Sequence, residues 1–376
     1  MIVHLPTPHD HFSPRTGSAT MTVIDGLARG AHRGRHTVLV ARGTFTERYD
    51  SADVVEYDAG PYVDGRRAKV DAIAARTGLG RPFQNRSYGR AMDALPEGDH
   101  TLLLHNAPYT GALAPRRSYP VLYAHNEVLP GPRPAVARAL SGFAGVVAVS
   151  TWLADRLEQR APRALRERIV PVVNGVDTSA FRPGPWERGE RLRVLFLGRI
   201  VPAKGADLLL SACARLASPD VEVRIVGSSG FSSADALTPY EASLRTQAES
   251  LPHPVEFVPF VDRYAVAAHY AWADVVVLPA RWHDPCPLTL LESMASGAAT
   301  VISDSGGMPE AAGGSALVVP REDPERLAEA LSALLGSESL LAQLRQRARE
   351  RAVELDWSNR SAELEEVLTR LGAPVG

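Results

Sequence analysis

The sequence predicts an α/β protein with two domains, each built around a doubly wound parallel sheet. Short apolar segments rich in β-branched residues alternate with helical segments, which is the pattern of βαβ units. A connector rich in Pro and Gly, residues 174–185, separates two runs of this alternation. With 376 residues, the chain also exceeds the size at which a single hydrophobic core stops growing.

Apolar runs bounded by turn residues predict strands in both halves of the chain. Because these runs are short and almost continuously apolar, we expect them to lie in the buried centre of parallel sheets. The predicted strands are 2–5, 37–41, 101–104, 121–124, 146–149, 193–197, 222–226, 255–258, 275–278 and 300–302.

Helices are predicted from apolar periodicity and from capping residues. A helix should follow Pro287, because proline is favoured in the first helical turn. Asp323 and Pro324 form a cap followed by a first-turn proline, so another helix should begin there. The helices are predicted near 21–29, at 206–217, at 288–296, from 324 onward and at 359–371.

The composition, 45% hydrophobic and 22% charged, is ordinary for a soluble globular protein. The two cysteines, Cys213 and Cys286, have neither a disulfide-framework spacing nor a metal-ligand spacing. No apolar run approaches the ~20 residues of a membrane span, and the first residues lack the features of a secretory signal. We therefore expect a cytoplasmic protein without a metal site.

Charge is distributed unevenly. Residues 1–170 contain 22 Lys and Arg against 16 Asp and Glu, a net +6, whereas the remainder has 19 against 27, a net −8. Such an asymmetry concerns partners rather than fold. Two interpretations stay open: ordinary solvated arginines, or a first half that meets an anionic acceptor or the inner face of a membrane as a peripheral contact. No nucleic-acid partner is predicted, since aromatics do not interleave with the basic residues. The basic cluster is Arg66, Arg67, Arg81, Arg86 and Arg90.

Two carboxylates lie within a predicted strand–loop–helix unit. Asp284 stands in the loop after strand 275–278, and Glu292 stands two turns into the following helix. The amides at the start of that helix, at Leu288 and Thr289, would form a seat for a phosphate group, whereas Pro287 has no N–H to give. Two carboxylates on either side of a phosphate seat suit a sugar nucleotide, which has hexose, diphosphate and ribose in that order.

These residues resemble the signature of retaining GT-B-fold glycosyltransferases, the family 4-like "glycosyl transferases group 1". The family pattern is Glu-x-x-(Gly or Pro)-Leu-x-x-x-Glu, followed by Ala-Met-Ala-x-Gly and a later Gly-Gly-x-x-Glu. Residues 284–292 fit the first part with Asp284 in place of the first Glu, and residues 306–310 fit the last part up to Glu310. Ser293 replaces a family Ala. The alternative to a glycosyltransferase motif is an ordinary strand–loop–helix unit with two unrelated acidic residues on its surface.

The resemblance implies the GT-B architecture, with two Rossmann-like domains that face a central cleft. The amino-terminal, acceptor-side domain should cover 1–172, and the nucleotide-sugar-binding domain should cover 173–355. The last segment, about 356–376, should pack back on the first domain. Asn174 to Asp177 match a family signature at the connector, where we expect a turn and cap rather than a catalytic role.

The loop after strand 193–197 resembles the family segment Gly-Arg-x-x-x-x-Lys-Gly. It places Gly198, Arg199 and Lys204 before a helix, and the resemblance implies that Arg199 and Lys204 bind the donor diphosphate. Two fixed cations can stabilise the charge that develops on a leaving diphosphate. Since the sequence contains no Asp-x-Asp metal-binding pair, we expect catalysis without a metal.

The resemblance also assigns residues of the first half. His125 corresponds to a family histidine that faces the donor sugar, and Gly17 corresponds to one of two family glycines at the diphosphate, with Ser18 in place of the second. Weaker candidates on the acceptor side also follow predicted strands; they are His105, Asn106 and Asn126. His4, His9 and His11 show no interpretable spacing.

The sequence therefore predicts a retaining hexosyltransferase of bacterial polysaccharide, glycolipid or natural-product glycosylation. The donor should be a nucleoside-diphosphate sugar, with UDP favoured over GDP, and the acceptor a saccharide, a lipid-linked sugar or a small molecule. His125, Arg199, Lys204 and Asp284 are the predicted catalytic residues, and Glu292 should hold the ribose. An epimerase of the same fold and a non-catalytic nucleotide-sugar-binding protein stay open, whereas no Gly-x-Gly-x-x-Gly supports an oxidoreductase.

Overall fold

The computed structural model describes residues 1–129, 131–216, 218–230, 232 and 236–375. Contacts divide the chain into two compact units. Unit 1 comprises Met1–Pro14, Ser18–Asn174 and Trp357–Gly376, and unit 2 comprises Arg15–Gly17 and Gly175–Asp356. Ala217 and Gly376, at which two predicted segments end, lie outside the described residues.

Unit 1 contains a seven-stranded parallel sheet in the order β3-β2-β1-β4-β5-β6-β7. Its strands are β1 (Ile2–Leu5), β2 (Thr37–Ala41), β3 (Asp53–Tyr57), β4 (His100–His105), β5 (Ser118–Ala124), β6 (Gly145–Ala148) and β7 (Ile169–Pro171). Its first helices are α1 (Ala19–Arg29), α2 (Gly65–Thr77), α3 (Pro82–Asp93), α4 (Arg133–Leu140), α5 (Thr151–Glu158) and α6 (Arg163–Arg166).

Unit 2 contains a six-stranded parallel sheet in the order β10-β9-β8-β11-β12-β13. Its strands are β8 (Leu192–Leu197), β9 (Val221–Val226), β10 (Val255–Val258), β11 (Val275–Leu278), β12 (Ala299–Ser303) and β13 (Leu317–Val319). Its helices are α7 (Ala206–Leu216), α8 (Pro239–Glu249), α9 (Arg263–Trp272), α10 (Leu288–Ala295), α11 (Met308–Ala312), α12 (Pro324–Gly336) and α13 (Glu338–Glu354). The predicted α/β class with two parallel sheets is confirmed.

The last helix, α14 (Trp357–Arg370), packs on α1 within unit 1. Ser361 donates a hydrogen bond to the carbonyl of Leu27 at 2.8 Å. A Cβ added at Gly26 would lie 2.1 Å from the indole of Trp357, so only glycine permits this approach.

The segment where the chain enters unit 2 lies beside the segment where it leaves. Val176 pairs with Asp356 in an isolated parallel bridge, and the carboxylate of Asp356 accepts a hydrogen bond from the Thr178 hydroxyl at 2.6 Å. Asp177 accepts hydrogen bonds from the backbone amides of Ser179 and Ala180 at 3.0 and 2.9 Å. These contacts form the turn that was expected at the connector.

The sheets are buried because their central strands are apolar on both faces. All four residues of β11 are buried, and Val275 and Val277 belong to the hydrophobic core of unit 2. Asp323 caps α12 by accepting from the amide of Arg326 at 3.0 Å, with Pro324 in the first turn, as predicted. None of the described helices combines the length and the apolar composition needed to cross a membrane.

Candidate functional site

The order of the strands in unit 2 places a ligand crevice at β8 and β11. The chain runs from β8 to β9 and β10 on one side of the sheet and returns to β11 on the other side, so these two neighbours mark the topological switch point. The loops that leave their carboxyl ends are 198–205 and 279–287. Both contain residues that the sequence singled out.

Lys204 and Asp284 meet at this edge of the sheet. The ammonium Nζ of Lys204 lies 2.6 Å from Oδ2 of Asp284 and 5.1 Å from the centre of the Trp282 ring. The Asp284 side chain is 10% exposed, whereas the Lys204 side chain is 30% exposed. The pair therefore brings a cation and a carboxylate from two predicted motifs into one half-open site.

Glycines let the neighbouring backbones approach this pair. Gly205 has a φ of 76°, and a Cβ there would lie 2.1 Å from the carbonyl oxygen of Pro279. Gly306 has a φ of 62°, and a Cβ there would lie 2.1 Å from the carbonyl oxygen of Asp284. The amide of Gly307 donates to that same carbonyl at 2.9 Å. The glycine pair of the motif thus supports the backbone of Asp284, which the sequence did not indicate.

Arg199 lies at the end of β8, next to Gly198. Its guanidinium donates through Nε and Nη2 to the carbonyl of Ser229 at 3.1 and 3.0 Å, in the loop after β9. Gly198 has a φ of 150°, and a Cβ there would meet nothing within 4 Å. The backbone at the tip of β8 therefore borders open space.

A second ion pair, which the sequence did not predict, flanks the first. Arg281 donates through both Nη atoms to the two carboxylate oxygens of Asp207, at 2.8 and 2.6 Å. The hydroxyl of Tyr240 also donates to Asp207 at 2.6 Å. Burial would raise the pKa of Asp207, but the bonds from Arg281 and Tyr240 outweigh this effect and lower it. The position of Asp207 in the first turn of α7 was the available signal.

Glu292, on the second turn of α10, is 4% exposed. One carboxylate oxygen accepts from Arg263 at 2.7 Å, and the other accepts from the hydroxyl of Tyr270 at 3.2 Å. Burial, and then the charge of Glu292, raise the pKa of Tyr270 well above its ordinary value. The sequence did not indicate Arg263 or Tyr270, although their spacing of seven residues puts both on one face of α9.

The start of α10 is confirmed at Leu288, as predicted. Pro287 is the N-cap residue, in an extended conformation, so the first helical residue is Leu288. The amide of Leu290 donates to the carbonyl of Pro287 at 3.1 Å. The first amides of the helix belong to Leu288 and Thr289, the two residues proposed as a phosphate seat.

In unit 1, His125 ends a row of four buried histidines. Its Nε2 lies 2.8 Å from Nδ1 of His105, whose Nε2 lies 2.9 Å from Nδ1 of His4. The Nε2 of His4 lies 2.9 Å from Nδ1 of His36. We call these residues the histidine chain. His105 has both ring nitrogens within this chain and is fully buried, and its assignment to the acceptor side stays a prediction. His4, whose spacing in the sequence could not be interpreted, is an inner member of this chain.

The remaining candidates of the first half follow β4 or β5, or precede α1. Asn106 has a φ of 52°, and its side-chain oxygen accepts from the amide of His125 at 2.8 Å, so it shapes the end of β5. Asn126 is partly exposed, and Gly17 is exposed just ahead of α1. Ser18 is the N-cap residue of α1, and its hydroxyl donates to Asp10 at 2.9 Å.

Unit 1 also contains a polar pocket of about 510 Å³. Burial raises the pKa of Asp10, which lines it. Asp71, on α2, accepts from the amides of Phe83 and Gln84 at 3.0 and 2.9 Å and thereby caps α3. The pocket is lined by Thr7, Pro8, His9, Asp10, Tyr62, Val63, Ala68, Asp71, Ala72, Arg81, Gln84 and Ser87.

Comparison with known sequences finds a family match within unit 2. Residues 178–351 match the family model "Glycosyl transferases group 1". Phosphatidyl-myo-inositol mannosyltransferase of Mycolicibacterium smegmatis is 36% identical over 228 residues, which are 58% of this chain and 55% of the relative. D-inositol 3-phosphate glycosyltransferase of Frankia alni is 34% identical over 253 residues, 61% of each chain. The matched segments thus span less than two thirds of these relatives.

Solved structures match the fold over almost the whole chain. Anabaena Alr3699/HepE, solved with UDP and glucose, gives a TM-score of 0.71 at 18% identity, with 98% of this chain and 99% of that chain covered. Sucrose-phosphate synthase of Thermosynechococcus elongatus gives a TM-score of 0.74 at 17% identity, with 99% of both chains covered. The predicted fold is confirmed: the chain has the GT-B fold, and its residues 178–351 match the family of glycosyl transferases group 1.

Proposed function

We propose that this chain is a retaining glycosyltransferase that moves a hexose-type sugar from a nucleoside diphosphate to an acceptor hydroxyl without a metal. The observation that carries the proposal is the Lys204–Asp284 pair at the switch point of unit 2. Glu292 follows Asp284 on the second turn of α10, in the motif order expected for hexose, diphosphate and ribose.

Lys204 is the proposed partner of the diphosphate. Its side chain keeps 30% exposure, so its ammonium has hydrogens left for a phosphate oxygen after it binds Asp284. The amides of Leu288 and Thr289 would share the phosphate with it, and Arg199 would meet the charge that grows as the diphosphate leaves. Three sources of positive potential then replace the metal. The proposal requires full activity in excess chelator.

Asp284 is the proposed partner of the hexose. A carboxylate accepts about four hydrogen bonds, and Lys204 takes one of them, which leaves acceptors for two sugar hydroxyls. The side chain is shorter by one methylene than the glutamate of the family pattern, so its reach to the sugar differs. For this reason we leave the identity of the hexose open.

Glu292 is the proposed partner of the ribose. Each of its oxygens already accepts one hydrogen bond, from Arg263 or from Tyr270, and each has a second lone pair for a ribose hydroxyl. Arg263 and Tyr270 hold the carboxylate in place, so a ribose diol would find it preorganised.

Retention is proposed to follow from front-face transfer, in which the leaving diphosphate oxygen takes the proton of the acceptor hydroxyl. His125 is proposed to bind a hydroxyl of the donor sugar, as the family resemblance implies. Burial lowers the pKa of His125 to about 3, so this imidazole is neutral near pH 7 and would act by hydrogen bonding rather than by charge.

The base of the donor is a separate question. A GDP-mannose-dependent mannosyltransferase of Mycolicibacterium smegmatis is 30% identical over 266 residues, 65% of this chain and 66% of the relative. The Anabaena neighbour was solved with UDP. The sequence-based preference for UDP therefore stays a prediction, with GDP as its competitor.

The acceptor is proposed to bind in unit 1. The pocket of about 510 Å³ has the size of a small-molecule site and offers carboxyl, amide, hydroxyl and guanidinium groups. Arg81 lines this pocket, and the rest of the basic cluster is exposed on α2 and α3. These features support a hydroxylated acceptor with an anionic group, including one at a membrane surface.

A thermal-shift panel tests the donor class. A ligand that binds only the folded state raises the melting temperature, so UDP- and GDP-hexoses are compared with the free nucleotides and with NAD. We expect one nucleotide sugar to raise the Tm most. No shift with any nucleotide sugar, together with a shift for NAD, would exclude the proposed function. Donor binding without release of nucleoside diphosphate would favour a binding protein.

A further inference from the structure

The histidine chain crosses the sheet of unit 1 in regular steps. His4 is level with Leu103, two residues before His105, and His105 is level with Tyr123, two residues before His125. The pairing of Val3 with Thr37 puts His36 level with the residue two before His4. Because side chains alternate along a strand, all four histidines lie on one face of the sheet. The histidine chain therefore runs diagonally across the sheet, from the start of β2 to the carboxyl end of β5.

The rings are fixed as well as the backbones. His105 and His125 each stack on Tyr123, with ring centres 5.0 and 4.9 Å apart. His4, His36 and His105 are at most 2% exposed, and His125 is 9% exposed. In such a packed site, a ring has little freedom to flip and exchange its two nitrogens.

Burial also keeps the rings neutral. It lowers the pKa of His36 to about 4 and that of His125 to about 3, and it lowers the pKa of His4 and His105 well below 6.5. A neutral imidazole has one N–H donor and one bare nitrogen that accepts. Each inner ring, His4 or His105, must therefore donate to one neighbour and accept from the other.

In each of the three contacts, the Nε2 of one ring faces the Nδ1 of the next ring in the direction from His125 to His36. Only two arrangements make every hydrogen bond. Either all four rings carry hydrogen on Nδ1, or all four carry it on Nε2. Any mixed arrangement puts two N–H groups or two bare nitrogens face to face, and a buried unpaired polar group costs ~1–3 kcal/mol.

We propose that His36, His4 and His105 are positioning residues that couple the tautomer of His125 to a four-membered chain. The tautomer that the four rings of the histidine chain share determines how Nδ1 of His125 bonds to a hydroxyl group. With hydrogen on Nδ1 it donates to the hydroxyl oxygen, and with hydrogen on Nε2 it accepts from the hydroxyl. The use of this nitrogen by a sugar hydroxyl rests on the proposed function. The coupling itself does not.

Nitrogen-15 NMR of the imidazoles tests the coupling directly, because two-bond couplings to the ring protons distinguish an N–H nitrogen from a bare one. In the wild-type protein at pH 7.5, we expect all four histidines to carry hydrogen on the nitrogen of the same name. Two neighbouring members with opposite tautomers would overturn the proposal, and this readout needs no variant.

Substitution of His36, at the far end of the histidine chain from His125, is the second test. A carboxylate only accepts and an ammonium only donates, so His36→Glu should set His125 to Nε2–H and His36→Lys should set it to Nδ1–H. Neither residue touches His125. The same His125 tautomer in both folded variants would overturn the proposal. If one variant does not fold, the wild-type pattern and the other variant decide.

His100→Gln is the matched control. His100 is a buried histidine at the opposite end of β4, and its nitrogens lie 3.1 Å from the Gly98 carbonyl and 2.8 Å from the Ser118 hydroxyl, outside the chain. Its replacement should leave the His125 signal unchanged. A change at His125 in this control would mean that the tautomer responds to general packing, which contradicts the coupling. Since hydrogen positions are measured rather than activity, the result is independent of the proposed function.

Discussion

Lys204 and Asp284 form an ion pair of 2.6 Å across the carboxyl ends of two neighbouring strands. They are 80 residues apart in sequence, and the order of the strands in unit 2 brings their loops together. In the absence of a ligand, each residue neutralises the other. A donor that placed phosphate at Lys204 and hexose at Asp284 would weaken the ion pair between these two residues and replace it in part with contacts to the ligand.

Lys204→Ala should lower turnover more than donor binding, because the charge on the diphosphate is greatest in the transition state. We expect a cost of about 2–4 kcal/mol in the barrier, or roughly 30- to 1000-fold in kcat. Arg199→Ala should act in the same direction. Lys69→Ala, at an exposed position on α2, is the control. Near-wild-type kcat of Lys204→Ala at saturating donor would remove Lys204 from the chemistry.

Glu292→Gln should weaken donor binding by ~1.5–3 kcal/mol, since a ribose diol would lose hydrogen bonds to a charged group. Calorimetric titration with the nucleotide sugar measures the effect. Glu365→Gln is the control, because Glu365 is an equally buried glutamate in unit 1 that accepts from the amides of His32 and Arg33. Equal donor affinity in Glu292→Gln and the wild type would exclude the proposed ribose contact.

Gly205→Ala should disrupt the loop that carries Lys204. The backbone φ of 76° is strained for alanine, and the new Cβ would lie 2.1 Å from the carbonyl oxygen of Pro279. We expect a loss of stability of about 1–3 kcal/mol and a matching loss of activity. Gly336→Ala, where a Cβ meets nothing within 4 Å at the end of α12, should be neutral or stabilising. Similar urea midpoints for both variants would contradict this role of Gly205.

The histidine chain should make the protein less stable in acid. Burial lowers the pKa of His36 to about 4 and that of His125 to about 3, so the unfolded chain binds protons first as the pH falls. Their contribution is fully present above ~6.5, the ordinary pKa, and is lost as the pH falls toward 4. The slope should reach up to ~1.4 kcal/mol per pH unit for each histidine.

Urea unfolding at pH 8, 7, 6 and 5 measures this dependence. The free energy of unfolding should be nearly constant between pH 8 and 7 and should fall below pH 6.5. A double variant, His4→Leu with His36→Leu, should show a shallower decline because it has fewer titrating groups. Constant stability from pH 8 to 5 would contradict the burial of neutral imidazoles.

The central strands and the edge strand β10 were predicted from the sequence, whereas the other three edge strands were not. β3, β7 and β13 lie at the ends of their sheets and were missed. In β3, only Tyr57 of five residues is buried, so the continuous apolar run that marks a central strand is absent. β7 and β13 are apolar, but each has only three residues, which is shorter than the runs that indicate a strand.

The motif residues of the candidate site could also be predicted, but their partners could not. Glu292 and Asp284 were evident from local spacing, whereas Arg263 reaches Glu292 only because α9 packs beside α10. The contact between His4 and His105 likewise depends on β1 and β4 being neighbours in the sheet. Such pairs are set by tertiary topology, which a pattern within one segment does not contain.

The release of nucleoside diphosphate and the anomeric configuration of the sugar product test the account most directly. The donor identified by thermal shift is incubated with inositol or with a mixed glycan acceptor, and with water alone, and proton NMR follows the anomeric signal before mutarotation. We expect nucleoside diphosphate and sugar product in equal amounts, with the anomeric configuration of the donor, and no product from a Lys204→Ala, Asp284→Asn double variant. An inverted product, or equal product from that variant, would contradict the account.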